Sequence, residues 1–192
     1  MATQLTVDQF RQWSDQDAWK RWELLRGTPT EMPEWPEGFH AVHMRIADLL
    51  GDYVIRRGFG SVAFLSGGLI TQQNPDTVRC PAVMVLLDPT PTGEFPLRFT
   101  TRVPRLVVDL AVPGEPHGRA MRRVSNYIQF GVSLVWLVAP EEFAVIQFVP
   151  KQPPSVLDKT DELTGNGALP EFSCRVSDLF TLPGGQPPIQ PE

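Results

Sequence analysis

RLVVDLAVPGEPHGRAMRRVSNYIQFGVSLVWLVAP, residues Arg105–Pro140, decides the fold of this chain. Leu106–Val112 is an apolar run broken by one acid, Asp109, and Val132–Pro140 is a second apolar run. Their near-continuous apolar character fits strands buried on both faces. Between them, His117–Phe130 has helical spacing. Met121, Val124 and Ile128 share a packing stripe with Tyr127 beside it, and Gly131 closes the helix. On the same wheel Arg123 flanks Tyr127 at the edge of the stripe, while Arg122, Asn126 and Gln129 point away. Strand, helix and strand in this order predict a βαβ crossover with parallel strands. Phe143–Pro150 follows as a hairpin partner.

Working outward, Val42, Ile46, Leu49, Leu50, Tyr53 and Val54 form one apolar stripe, which predicts a long helix ending near Arg56 and Arg57 with Gly58 as the stop. Leu5–Trp13 reads as a short helix with Thr6 as N-cap and Gln9 completing a capping box. Arg21–Gly27 is a strand or a helical turn. Pro29–Phe39, with three prolines, reads as loop. Ser61–Asn74 reads as a hairpin turning at Gly67-Gly68, and Arg79–Leu87 as a third strand. The expected fold class is α/β: a mixed β-sheet flanked by helices, with one βαβ crossover.

At 192 residues and 42% hydrophobic composition the chain is long enough for one cored domain, expected over 1–182, with a flexible Pro-rich tail at 183–192. Its net charge of −5 argues against a general positive coat for nucleic acid or membrane, yet leaves room for a local basic groove. No apolar run spans a bilayer, and MATQLTVDQF is not a secretory signal, so the expectation is a cytoplasmic protein with no membrane partner. Cys80 and Cys174 have no neighbours at metal-ligand spacing and read as reduced thiols.

Asp109 needs an account, because an unpaired carboxylate in an apolar strand is costly. Arg123 reaching inward as a bidentate partner would satisfy it without a metal. A hydrolytic metal site would instead want a second acid near Arg79–Leu87, where Ala82 offers only a methyl group.

These pieces, in this order, resemble the Uma family (Uma-two type) of restriction endonucleases, a bacterial branch of the PD-(D/E)xK nuclease superfamily. The resemblance runs from about Leu5 to Leu182. It is carried by Trp22-Glu23-Leu24 with Gly27, by Met32-Pro33 and His43, by Arg79-Cys80-Pro81-Ala82, and by Leu106-Val107-Val108-Asp109-Leu110. Arg123 four residues before Tyr127, Gly131-Val132, Trp136-Leu137-Val138 and the close from Leu169-Pro170 to Leu179-Phe180 complete it. The fold implied is restriction-endonuclease-like.

The resemblance implies Mg²⁺- or Mn²⁺-assisted phosphodiester hydrolysis, with carboxylates as hard oxygen ligands and a lysine near the metal. The corresponding positions here are Glu23, Ala82, Asp109 and Arg123. Two depart from the pattern: Ala82 has no ligand atom, and Arg123 keeps the charge of the lysine without its ability to act as a base. Metal ligands, if any, are Asp109 and Glu23. Candidate nucleic-acid contacts are His43, Arg119 and Arg122, against the plainer readings of a capping or solvated histidine and a solvated basic face. The leading expectation is an inactive or strongly weakened endonuclease, with no cofactor, retained as a nucleic-acid- or protein-binding module. One alternative is an active Mg/Mn enzyme with a rearranged acid such as Asp76; Asp88, six residues beyond Ala82 along the strand, lies too far to serve. The other is a structural or regulatory protein without DNA contact. DNA is the implied partner, and the resemblance implies a homodimer.

Overall fold

The computed structural model describes residues 4–17, 20–58, 60–64, 67–87 and 99–181. The tail expected at 183–192 and Asp88 lie outside the described residues. In chain order the elements are α1 (Val7–Ser14), β1 (Trp22–Leu25), β2 (Thr28–Glu31), α2 (Phe39–Arg57), β3 (Ser61–Phe64), β4 (Gly68–Gln72), β5 (Thr77–Arg79) and β6 (Val83–Leu86). They continue with β7 (Phe99–Thr100), β8 (Leu106–Leu110), α3 (His117–Phe130), β9 (Leu134–Ala139), β10 (Ala144–Phe148), β11 (Ser155–Leu157), β12 (Glu162–Thr164) and β13 (Ser173–Arg175). A short 3-10 helix (Val176–Phe180) follows.

The class is α/β, and the decisive segment folds as read. β8 and β9 are parallel, with Asp109 paired to Leu137, and α3 connects them. Gly131 ends α3 at φ +107°, a conformation that favours glycine. β9 pairs antiparallel with β10. Thr6 caps α1 through the capping box. No helix among the described residues is long and apolar enough to cross a membrane.

Three local expectations give way to one architectural fact: there are two large sheets, not one. A six-stranded sheet runs β11-β10-β9-β8-β6-β3 and a five-stranded sheet runs β2-β1-β5-β4-β7. Ser61–Asn74 is therefore not a hairpin, since β3 pairs with β6 in one sheet while β4 pairs with β5 and β7 in the other. Gly68 lies where a Cβ would collide with the Phe99 ring, so the close approach of β7 there requires glycine. Arg79–Leu87 is not one strand either. It leaves the five-stranded sheet at Arg79 and enters the six-stranded sheet at Val83, with Cys80-Pro81-Ala82 as the crossing. Pro29 falls within β2 rather than a loop, which is tolerated because β2 is an edge strand.

Alternation along the six-stranded sheet sets what each face meets. Leu106, Val108, Leu134 and Trp136 pack with Val42, Ile46 and Leu50 of α2. Val107, Val135 and Leu137 pack on the opposite face with Ala120, Val124 and Tyr127 of α3, joined by Leu69 of β4. Helix α3 is thus held between the two sheets. Asn126, expected to face away, instead accepts hydrogen bonds from Arg79 of β5, because the second sheet covers that side of the helix. Asp109 shares the face of Val107, the face that α3 covers.

Candidate active site

The residues singled out in the sequence gather where the two sheets meet α3. Val83 of β6 lies opposite Val108 of β8, and one further step of that antiparallel register brings Ala82 level with Asp109. In the other sheet Leu24 lies opposite Val78, so Glu23 is level with Arg79. Arg123 enters from α3.

Every carboxylate here is already engaged. Arg123 Nε donates to Asp109 Oδ2 at 2.6 Å, and the Leu110 amide donates to Asp109 Oδ1 at 3.2 Å. The fork of the guanidinium is spent elsewhere: its two terminal nitrogens donate to the two carboxylate oxygens of Glu115, one of them at 2.9 Å. The bidentate partner of Arg123 is therefore Glu115, and Asp109 receives a single hydrogen bond from the guanidinium. Glu115 was not legible in advance, because it sits in the β8–α3 loop after Pro113-Gly114, where no periodicity assigns a direction. Across the gap Arg79 donates to Glu23 Oε2 at 2.6 Å, and the Cys80 amide reaches Glu23 Oε1 at 3.4 Å.

Burial is nearly complete: Glu23 and Asp109 are 1% exposed, Ala82 and Arg123 2%. Burial alone would lower the basicity of the Arg123 guanidinium, but the attraction of Asp109 and the hydrogen bonds of Glu115 outweigh it, and the net shift is upward. Burial pushes the Glu23 carboxyl above its usual range against the pull of Arg79 and Arg123. Tyr127 is fully buried, and among the described residues its hydroxyl has no hydrogen-bond partner; burial and then the field of Asp109 raise its pKa. Cys80 beside Glu23 is held as a thiol, its pKa pushed up to about 12 by burial.

The remaining candidates lie around this centre. His43 is not a surface contact. It is fully buried under Trp35, and its Nε2–H donates to the Ala82 carbonyl at 2.9 Å. It occupies the second turn of α2, on the face that packs against the sheet, so no phosphate can reach it. Arg119 donates to the Glu31 carbonyl at the end of β2 and lies 3.7 Å from Glu115, tying α3 to the five-stranded sheet. Arg122 is exposed. Asp76 is not available as a replacement acid: its two carboxylate oxygens accept from the amides of Val7, at the start of α1, and of Asn74.

These residues do not fit a divalent cation. A hard cation needs several oxygen ligands, and here each oxygen of Glu23, Asp109 and Glu115 already faces a protein donor, two guanidinium charges occupy the space between them, and Ala82 supplies nothing. Among the described residues no group of three or more His, Cys, Asp or Glu is placed to hold a metal ion.

Comparison with known proteins agrees with this architecture. A family model described as "Uma2: Putative restriction endonuclease" matches residues 7–177. Among solved structures, a putative nuclease belonging to DUF820 from Anabaena variabilis ATCC 29413 superposes with a TM-score of 0.76 at 16% identity, covering 92% of this chain and 97% of that one. At that identity the likeness is one of fold. No curated protein sequence matches the chain.

Proposed function

The chain belongs to the Uma2 family of restriction-endonuclease-like proteins, and from that premise we propose that it has exchanged metal-dependent cleavage for binding: a nuclease fold, catalytically silent, retained as a nucleic-acid-binding module. The observation that carries this reading is the Arg123–Asp109 ion pair with Glu115 closing the other side of the guanidinium. A hydrolytic centre would need those oxygens for a cation that polarises the scissile phosphate and activates water. Here a tethered guanidinium neutralises them, and it can neither generate a hydroxide nor act as a base. The near-complete burial of Asp109 supports the same reading, since a scissile phosphate must reach the ligands of its metal.

Binding, with a net charge of −5, must be local rather than global. Arg122 is an exposed cation on α3, and the half-buried Arg21 lines a cleft with Trp35. Incubation of supercoiled plasmid with the purified chain in Mg²⁺ and then Mn²⁺ tests the first half: no nicking is expected, and nicking that disappears in Asp109→Ala would contradict it. DNA retention that falls steeply with salt supports the second half, because phosphate contacts release counterions.

A further inference from the structure

Four arginines surround the centre, and three of them meet a carboxylate: Arg79 with Glu23, Arg119 with Glu115, and Arg123 with Asp109 and Glu115. Arg21 does not. Among the described residues its contacts are a long hydrogen bond from one terminal nitrogen to the Cys80 carbonyl, at 3.5 Å, and the face of Trp35, 4.0 Å from its guanidinium carbon. Arg21 is partly buried, and burial pulls its basicity down against the attraction of Asp109, which acts from beyond contact distance. A guanidinium withdrawn from water and lacking a counter-ion is an energetic debt that an arriving anion can settle.

The space for that anion is present. Arg21 lines a cleft of about 190 Å³ together with Lys20, Glu31, Glu34, Trp35 and His40. That is roughly six times the ~30 Å³ share of a water in the liquid, enough for a tetrahedral oxyanion with its substituents. Of the charges lining the cleft, Lys20 is paired with Glu31 at 2.9 Å, Glu34 sits exposed at the rim, and Arg21 is the half-buried cation, stacked on the Trp35 indole. A planar, oriented fork is the geometry that grips phosphate through two parallel hydrogen bonds.

We propose that this cleft is a phosphate-binding site in which Arg21, braced on Trp35, takes the phosphodiester group of a nucleic-acid strand. The choice of a strand over a free phosphate rests on the family reading above; the anion site itself rests on the unpaired guanidinium and the cleft. Arg21 reaches the carbonyl of Cys80, the residue next to the Arg79 that pairs with Glu23, so a strand held here would pass beside the centre. The Arg21–Trp35 pair also offers a flat surface on which the sugar or base next to the phosphate can rest.

The test uses the full chain and two probes, inorganic phosphate and a short single-stranded oligodeoxynucleotide, followed by calorimetry. Both are expected to bind the wild type. Arg21→Gln is expected to weaken each by roughly tenfold or more, the equivalent of one lost charge-assisted contact. Arg21→Lys, which keeps the charge without the fork, is expected to fall between. Oligonucleotide binding unchanged in a folded Arg21→Gln overturns the cleft while leaving the binding-module reading intact. Phosphate binding without oligonucleotide binding supports the anion site and overturns the strand. Wild-type protein that takes up neither probe at millimolar concentration overturns both, whatever the variants do.

Discussion

Asp109 and Arg123 stand fourteen residues apart in the chain and 2.6 Å apart in space, each side chain 2% exposed. One comes from the middle of a buried strand and the other from the helix that crosses over it. Neither is stable there alone. Around this pair, with Glu115 and the neighbouring Arg79–Glu23 pair, the buried charges form a structural ion-pair network.

Removal of the cation should therefore be severe. Arg123→Met leaves Asp109 and Glu115 buried without their main donor, and loss of one partner from such a pair costs about 3–5 kcal/mol. Chemical denaturation should show a lower midpoint with an unchanged slope. A loss below 1 kcal/mol would mean that the network is not structural.

Tyr127 predicts the opposite sign. Its buried hydroxyl has no partner among the described residues, so Tyr127→Phe removes an unsatisfied group and keeps the ring. The variant should be as stable as the wild type or more stable by roughly 1 kcal/mol. Thermal unfolding measures it, and a marked drop in Tm would reveal a hydrogen bond to this hydroxyl.

His43 predicts a pH dependence. Burial pulls its pKa below the usual 6.5, with Arg21 and His40 adding to the shift against the Ala82 carbonyl. The unfolded chain takes up a proton near pH 6.5 and the folded chain only at lower pH, so stability falls as pH drops from about 6.5 towards the lowered value. His43→Gln should show a shallower loss over that window in denaturation series at stepped pH. Identical slopes would remove His43 as the source.

Part of this centre was legible in the residues alone. A lone acid in a buried strand demands a partner, and the wheel of His117–Phe130 points Arg123 at it. The βαβ unit was legible because its apolar runs and terminal Gly131 leave few alternatives. The division into two sheets was not: Arg79–Leu87 reads as one apolar run, and only tertiary pairing shows that Cys80-Pro81-Ala82 carries it from one sheet to the other. That hidden second sheet also explains why Asn126 faces inward. His43 was misplaced because its partners, Trp35 and the Ala82 carbonyl, are set by packing rather than by spacing.

Introducing the donors that the family resemblance implies tests whether these positions make a site. Ala82→Asp adds a carboxylate level with Asp109, and Arg123→Lys withdraws the fork that spans Asp109 and Glu115. The double variant should gain Mn²⁺ affinity measurable by calorimetry. If it folds and gains none, the four positions do not form a latent metal site.

The most direct measurement is a Mn²⁺ titration of the unmodified protein followed by calorimetry. No saturable binding at millimolar metal is expected, because Arg123 and Arg79 already hold the carboxylates. Saturable binding at micromolar metal that disappears in Asp109→Ala would contradict it.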